Sequence, residues 1–270
     1  MKAAAKRKLK EAYDRILPEY TRFPLILLFF LNLGGYETVK LFVFGRQPYD
    51  LTVPFDNAVP LIPATVLIYF GSYLFWVVGY IGAARVSREA FRRFFAADVT
   101  AKIISFAVFI ALPTARVRPE ITGDGFFEFL MRFLYAIDTP KGLFPSLHCL
   151  NSWMCFLGVR SVKGVPLWYK VSTCVCALLV FVSVLTTGQH LAVDVPAGVA
   201  AAEIAWFISR FKSVQNVSQK ALDGCARLKK RFFGLFKKQS VPKDPSGSET
   251  KDRPEEPSGN MINDRSEEER

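Results

Sequence analysis

The only two histidines of this chain, His148 in "GLFPSLHCLNSW" and His190 in "TTGQHLAVDVPAG", stand where apolar segments begin. Asp194 follows His190 by four residues, a spacing that predicts both side chains on one face of a helix, one turn apart. A carboxylate there accepts a hydrogen bond from one imidazole nitrogen and leaves the other nitrogen as a directed nucleophile. A His–Asp pair that only ties helix ends together is the alternative, and the spacing alone does not separate the two.

His148 follows two residues that suit a helix start. Pro145 fits the first turn, and Ser146 with the free backbone N–H groups around it predicts a seat for an oxyanion or phosphate. A histidine beside such a seat can donate a proton to a leaving group. A solitary interfacial histidine is the alternative. Because both histidines fall at predicted helix starts, we interpret them as parts of one site.

The apolar stretches that carry these residues are long enough to cross a bilayer, which takes about 20 mostly apolar residues. Six candidate spans follow one another: residues 23–44, 59–84, 95–113, 145–162, 166–187 and 190–209. A soluble helical protein would show polar stripes at helical period, and residues 59–84 show almost none. The sequence therefore predicts an all-α, polytopic membrane protein with a bundle of six transmembrane helices.

The charged segments orient this bundle. Lys and Arg concentrate in residues 1–22, 85–93 and 160–170 and after residue 209. If six segments span the membrane, these basic segments all lie on the same side of it, and the positive-inside rule makes that side cytoplasmic. Both histidines then lie at the extracytoplasmic face. We expect a multi-pass protein of the plasma membrane with both termini in the cytoplasm.

The chain divides into four parts. A basic cytoplasmic segment, residues 1–22, precedes the membrane domain of residues 23–209. Residues 210–238, which contain "ARLKKRFFGLFKK", are typical of a basic amphipathic helix on anionic lipid headgroups. This segment lacks a recognisable nucleic-acid-binding fold, so no nucleic-acid partner is expected. Residues 239–270 are rich in Ser, Pro, Glu and Asp and are expected to be disordered.

The outer segment between the third and fourth predicted spans contains an amphipathic stretch. Residues 123–142, "GDGFFEFLMRFLYAIDTPKG", predict a short helix at the membrane interface. Such a helix could form a lid or a lateral wall for a lipid substrate. Simple loop packing is the alternative.

Three short motifs in order resemble those of the type-2 phosphatidic acid phosphatase superfamily, which includes lipid phosphate phosphatases and vanadium haloperoxidases. "PSLH" at 145–148 resembles the family's Pro-Ser-Gly-His motif, and "RP" at 118–119 resembles the end of its Lys-x6-Arg-Pro motif. "SVLTTGQHLAVD" at 183–194 resembles its Ser-Arg-x5-His-x3-Asp motif. The resemblance covers roughly residues 23–209 and is that of a divergent member related to the inositol phosphorylceramide synthase-like branch.

The resemblance implies a phosphoryl-transfer site. His190 would attack phosphorus and form a phosphohistidine, Asp194 would orient it, and His148 would protonate the leaving oxygen. The residues implied to bind the phosphorylated lipid are Arg118, Ser146 and Ser183. No metal or other cofactor is implied, and the sequence offers no carboxylate or histidine cluster that would indicate a metal.

Two of the three motif cations are missing. The motif lysine would stand seven residues before Arg118, where the chain has Ala111, and the motif arginine would follow Ser183, where the chain has Val184. We expect Lys141 to substitute as a flexible point charge beside the phosphate seat. A lysine that only reaches the lipid headgroups is the alternative.

Two other cations are not expected at the site. Lys102 is sixteen residues from Arg118, which is about 24 Å along a helix, and we expect it near the opposite membrane face as the partner of Asp98. Arg116 is expected to leave the third span on a different side from Arg118.

The first expectation for function is a lipid phosphate phosphatase that acts on phosphatidate-like or polyprenyl phosphates at the extracytoplasmic face. A lipid headgroup phosphotransferase is the second, because inositol phosphorylceramide and sphingomyelin synthases share the His, His, Asp chemistry. The missing cations leave a third, a degenerate relative that binds lipid without catalysis. His190 with Asp194 argues against that third hypothesis, because degenerate sites commonly lose the nucleophile.

Overall fold

The computed structural model describes residues 2–138 and 141–239, and over these residues the fold is all-helical, with two isolated β-bridges and no strand. The helices are α1 Lys2–Ile16, α2 Glu19–Phe42, α3 Val66–Ala84, α4 Arg88–Ala111, α5 Phe126–Ile137, α6 Leu147–Arg160, α7 Leu167–Thr186, α8 Asp194–Ile208 and α9 Lys212–Gln239. Residues 1–230 form one compact unit. Apart from residue 239, the segment predicted to be disordered lies outside the described residues.

Four of the described helices are long and apolar enough to cross a membrane: α2, α3 with the turn before it, α4 and α7. These four apolar helices indicate a membrane protein. The other two predicted spans correspond to α6 and α8, which have only 14 and 15 residues. At 1.5 Å per residue they rise about 21 and 23 Å, less than the roughly 30 Å of a hydrocarbon core.

The neighbouring helices cover the two short helices to different extents. α6 packs against α3, α4, α7 and α8, and Met154 near its middle is fully buried. α8 packs against α4 and α6 and leaves Ile204 and Phe207 about half exposed. Glu203 of α8 pairs with Arg160 of α6 at 2.7 Å, as expected for a charged residue in a membrane domain.

Small residues let α6 and α8 approach each other closely. A Cβ at Gly198 of α8 would lie 2.5 Å from the carbonyl oxygen of Ser146, just before α6. Buried alanines of α8, Ala201 and Ala202, pack on the phenylalanine-rich face of α4. The start of α6 and the first turn of α8 are therefore held side by side.

The short amphipathic helix predicted within residues 123–142 is present as α5. Met131 and Leu134 are fully buried against the bundle, while Phe126, Phe129 and Phe133 are at least half exposed. α5 therefore turns an aromatic face outward and packs its other face against the turn before α3.

A buried ion pair lies in α4. Lys102 Nζ is 2.6 Å from both carboxylate oxygens of Asp98, so the predicted pairing is present. The Tyr80 hydroxyl of α3 lies 2.5 Å from Asp98 Oδ1 and 3.1 Å from Asn151 Oδ1 of α6. Asn151 is three residues after His148. The network connects Lys102 to α6 one helical turn after His148, while its expected position near the opposite membrane face stays a prediction.

Candidate active site

His190 lies in a turn between α7 and α8, and not within a helix as its spacing from Asp194 predicted. The backbone N–H groups of Gln189 and His190 both donate to the Val184 carbonyl oxygen, at 3.1 and 3.0 Å, which ends α7. α8 begins only at Asp194. The two side chains still meet, but a tight turn brings them together instead of one helical face.

Gly188 is required in this turn by its backbone and by its surroundings. Its φ of +67° lies in the left-handed region that favours glycine. A Cβ there would lie 2.8 Å from Tyr135 Oη and 2.9 Å from Pro119 Cδ. Tyr135 Oη also donates to the Thr187 carbonyl oxygen at 2.8 Å. The turn before His190 therefore packs against α5 and against the segment after α4.

His190 and Asp194 form a buried hydrogen-bonded pair. His190 Nδ1 is 3.0 Å from Asp194 Oδ2, and the Leu191 N–H donates to the same oxygen at 2.9 Å. The Ser146 N–H donates to the Asp194 carbonyl oxygen at 3.1 Å, which joins α8 to the start of α6. A carboxylate at Nδ1 favours the tautomer with the proton on Nδ1, so Nε2 keeps the lone pair.

Two side chains outside the motifs hold this turn. Asp56, in the short 3-10 helix before α3, accepts from the Ala192 N–H at 2.7 Å. Arg116 Nη1 donates to the His190 carbonyl oxygen at 2.5 Å, which corrects the expectation that Arg116 lies on another side from the site. Its spacing was a signal for this, because residues two apart in an extended segment share a face, and Arg118 is two residues on.

His148, the second residue of α6, is held by aromatic rings. Its ring centroid lies 4.3 Å from that of Tyr69, 5.8 Å from Tyr73 and 5.0 Å from Trp76. His148 Nε2 is buried and has no hydrogen-bond partner within the part of the chain that the structure describes. The centroids of the His148 and His190 rings are 5.9 Å apart. The predicted convergence of the two histidines is therefore present.

A cavity of about 170 Å³ opens beside the two histidines. Other polar residues on its wall are Asn32, Glu37, Lys40, Asp138, Asn151 and Gln189. Lys40 Nζ pairs with Glu37 at 2.8 Å, and Asp138 Oδ2 accepts from the Tyr69 hydroxyl at 2.6 Å. Among the described residues, the charged wall of the cavity thus carries two carboxylates and one ammonium.

Gln189 is a lining residue of this cavity that the sequence motifs did not indicate. Its Oε1 accepts from Arg118 Nη2 at 2.5 Å. Its Nε2 is buried and has no hydrogen-bond partner among residues 2–138 and 141–239. The free amide N–H groups can donate to an anionic oxygen beside His190. The available signal was a polar residue directly before the proposed nucleophile.

Arg118 clamps backbone groups around the cavity. Nη1 donates to the Tyr135 carbonyl oxygen at 2.9 Å, and Nη2 donates to the Asp138 carbonyl oxygen as well as to Gln189. Burial lowers the pKa of the Arg118 guanidinium, and the Asp138 carboxylate opposes that shift. The group still keeps its charge at neutral pH. Its described contacts connect Arg118 to the cavity through Gln189.

None of the four residues predicted to bind the substrate lies on the described wall of the cavity: Arg118 reaches it through Gln189, and the other three lie elsewhere. Ser146 is the N-cap of α6, where its Oγ accepts from the Cys149 N–H at 3.3 Å. Ser183 Oγ donates to the backbone of α7 at 2.9 Å. Lys141 is exposed, and its carbonyl oxygen accepts from the Tyr36 hydroxyl at 2.8 Å. The phosphate seat expected at Ser146 is thus a buried helix cap.

The positions of the two missing cations differ in their surroundings. Ala111 is the exposed last residue of α4. Val184 is fully buried in an apolar cluster with Val66, Tyr69 and Met131, where a charged side chain would not be tolerated without a partner. The part of the chain that the structure describes also contains no group of three His, Cys, Asp or Glu placed to hold a metal ion.

Comparison with known proteins identifies the class to which this site belongs. A family model described as the PAP2 superfamily matches residues 55–208, which include α3 to α8 and both histidines. The chain therefore belongs to the PAP2 superfamily, and the expected superfamily is confirmed. Members are generally phosphoryl-transfer enzymes, so a lipid function of the phosphatase or phosphotransferase type is supported. Searches of curated proteins and of solved structures gave no match.

Proposed function

We propose that the protein transfers the phosphoryl group of a lipid phosphate through a phosphohistidine on His190. The observation that carries this proposal is the 3.0 Å contact between His190 Nδ1 and Asp194, with His148 across the gap. The contact fixes the imidazole and leaves Nε2 as the nucleophile, in the same way that a carboxylate orients the histidine of a hydrolytic triad.

The proposed chemistry sets where the phosphoryl group must lie relative to the two rings. Nε2 of His190 attacks phosphorus as the bond from phosphorus to the lipid oxygen breaks, and His148 gives that oxygen a proton. Water or an acceptor alcohol then attacks the phosphohistidine and loses its proton to His148. An attacking atom stands about 3–3.5 Å from its target and a general acid about 2.6–3.2 Å from the oxygen it protonates, so with the phosphorus–oxygen bond the two nitrogens must be more than about 6 Å apart along this path. Because the ring centroids are only 5.9 Å apart, we place the phosphoryl group in the cavity beside both rings and not directly between them.

Gln189 and Arg118 are the groups we propose for the phosphate oxygens. Stabilising charge on these oxygens is the main task in phosphoryl transfer, and Ala111 and Val184 supply no charge for it. Gln189 lines the cavity and its Nε2 has no partner among the described residues, while the guanidinium of Arg118 donates to its Oε1 and polarises the amide. We place Lys141, which is exposed, among the lipid headgroups rather than at phosphorus.

Hydrolysis of a lipid phosphate is our first choice, and headgroup transfer is a second candidate that one observation favours. Glu37 and Asp138 outnumber Lys40 on the described cavity wall. A phosphomonoester carries a charge of about −1.5 to −2 at neutral pH, so it meets more repulsion there than a singly charged phosphodiester. The branch of inositol phosphorylceramide and sphingomyelin synthases, which transfer headgroups, would fit the second candidate.

We propose that six segments cross the plasma membrane, with α6 and α8 as the two short crossings and the histidine cavity on the extracytoplasmic side. The basic segments at residues 1–22 and 210–238 then lie on anionic lipid at the cytoplasmic face. A cysteine in place of the exposed Asp124 should react with an impermeant thiol reagent in intact cells, and one in place of Ser248 only after lysis. The unchanged chain controls for its five native cysteines, and the reverse pattern would contradict this orientation.

The function is tested by purified protein against a panel of phosphatidate, polyprenyl phosphate and phosphodiester lipids. We expect phosphate release or headgroup transfer that His190→Ala abolishes and that persists in EDTA, because histidines supply both the nucleophile and the acid. Loss in EDTA with recovery on added divalent metal would contradict this mechanism. A folded protein without turnover on any of these lipids would favour the non-enzymatic, lipid-binding alternative.

A further inference from the structure

An apolar groove adjoins the histidine cavity. This groove has a volume of about 480 Å³ and follows α2 and α3, where Leu25, Phe29 and Val77 line it. Its wall and the wall of the histidine cavity share four residues: Asn32, Tyr73, Trp76 and Asn151. The two spaces therefore meet at these four side chains, with the histidines on one side and apolar residues of α2 and α3 on the other.

The groove has the length of a lipid tail within one leaflet. Its α2 wall extends from Asn32 to Arg22, which is about 15 Å at 1.5 Å per residue. One leaflet contributes about half of the roughly 30 Å hydrocarbon core. We take the tail of the lipid substrate as the occupant of the groove, because a phosphate in the histidine cavity would have its attached chain beside this groove.

Two carboxamides stand where the cavity becomes the groove. Asn151 Nδ2 donates to Asn32 Oδ1 at 3.0 Å. Within the part of the chain that the structure describes, no hydrogen bond from the Asn32 amide nitrogen is found. Asn32 is partly buried and lines both the cavity and the groove. Its amide N–H groups are therefore available to a ligand that accepts hydrogen bonds.

The buried ion pair of α4 supports this junction from behind. The Tyr80 hydroxyl lies 2.5 Å from Asp98 Oδ1, 3.4 Å from Lys102 Nζ and 3.1 Å from Asn151 Oδ1. Lys102 and Asp98 are almost fully buried, so this network has little freedom to move. The network thus fixes Asn151, and Asn151 in turn holds Asn32 at the neck of the groove.

We propose that Asn32 and Asn151 form a subsite for an ester, amide or hydroxyl group of the lipid backbone next to the phosphate. Asn151 follows His148 by three residues, which places it about 4.5 Å further along α6. A glycerol- or sphingoid-type lipid carries such groups within a few bonds of its phosphate. A polyprenyl phosphate carries none there, so the substrate belongs to the first class. The inference rests on the proposed function, because it takes the phosphate to lie in the histidine cavity.

The test compares catalytic efficiency on diacylglycerol phosphate, ceramide phosphate and polyprenyl phosphate. We expect the wild-type protein to favour the first two by at least about tenfold, because a polar subsite rejects an analogue that leaves its groups unpaired. Asn32→Leu should lower efficiency on those two by about tenfold and reduce the preference. Asn32→Ser, which keeps a hydrogen-bonding group, should retain part of it.

Leu33→Ala is the matched control, since Leu33 lines the cavity beside Asn32 without a polar atom. It should change all three efficiencies by the same factor. A wild-type preference for polyprenyl phosphate, or an equal loss on all three lipids in Asn32→Leu, would overturn the subsite. The wild-type preference is itself a readout that requires no variant to fold.

A binding measurement separates this inference from the proposed function. Thermal stabilisation of His190→Ala by each lipid in detergent reports binding without turnover. We expect greater stabilisation by diacylglycerol phosphate than by polyprenyl phosphate, and loss of that difference in the double variant with Asn32→Leu. If the wild-type protein turns over no lipid while this difference is present, the proposed function fails and the subsite stands. Turnover without any such difference would support the proposed function and overturn the subsite.

Discussion

His190 and His148 face one cavity, but the protein holds them in different ways. His190 is fixed by Asp194 at 3.0 Å on its ring and by Arg116 on its carbonyl oxygen. His148 lies among aromatic rings, and its Nε2 has no hydrogen-bond partner among the described residues. A nucleophile needs one tautomer and one direction, whereas a general acid must gain and lose its proton. The difference in anchoring therefore matches the different roles that we propose.

The largest effects should come from the anchored histidine. His190→Ala should abolish turnover, and Asp194→Asn should lower kcat on the order of 10,000-fold, because the amide no longer selects the tautomer with the proton on Nδ1. Steady-state kinetics on a short-chain lipid phosphate measures both. Asp124→Asn, an exposed carboxylate outside the cavity, is the control and should behave as wild type. An Asp194→Asn protein within tenfold of wild type would contradict the orienting role.

The second prediction concerns the histidine without an anchor. His148→Ala should reduce the rate by about 100- to 10,000-fold on alkyl lipid phosphates, whose leaving oxygen needs a proton. The loss should be far smaller on a nitrophenyl phosphate, whose leaving group departs as an anion. Parallel kinetics of the wild-type protein and His148→Ala on the two substrate types gives the loss of rate on each. Equal losses on both would remove His148 from the role of general acid.

The third prediction concerns the donor beside the anchored histidine. Gln189→Leu should lower catalytic efficiency by about 100-fold, comparable to the loss of one oxyanion donor. Gln189→Glu should be worse, because its carboxylate would pair with Arg118 and repel the phosphate. Gln219→Leu on α9, where the glutamine bonds only to Asp223 at the surface among the described residues, is the matched control. Wild-type rates in Gln189→Leu would show that Gln189 does not donate a hydrogen bond to the phosphate.

The smallest effect should follow from Lys141. Its exposure in the structure predicts that Lys141→Ala changes catalytic efficiency by less than about threefold, as does Arg132→Ala on the outer side of α5. Kinetics of the two variants on one short-chain lipid phosphate provides the comparison. A loss on the order of 100-fold in Lys141→Ala alone, with recovery in Lys141→Arg, would show that this ammonium reaches the phosphate.

The sequence could predict the helical segments and the meeting of the two histidines, because apolar length and motif spacing are local properties. It could not predict that His190 lies in a turn, since that turn depends on the Val184 carbonyl oxygen closing α7 and on the space around Gly188. The apolar runs from which it predicted two further spans are longer than α6 and α8, which have 14 and 15 residues. These runs begin in buried turns before the helices, where Ser146 and His190 lie.

The contacts of the site were the hardest part to predict from sequence. Asp56 reaches Ala192 across a separation of 136 residues, and no spacing rule reports a contact of that kind. The distance in sequence between Lys102 and Arg118 does not reveal that Lys102 connects through Tyr80 to Asn151 of α6. Gln189 and Arg116 could have been found, since each stands within two residues of a motif position.

The central claim, a phosphohistidine on His190, is tested most directly by rapid quench with a lipid phosphate labelled on phosphorus. We predict a label on the protein that is stable in base and labile in acid, that maps to His190, and that is absent from His190→Ala. With a nitrophenyl phosphate, His148→Ala should still form it, because that leaving group needs no proton. An acid-stable label on another residue, or full turnover by His190→Ala, would contradict the account.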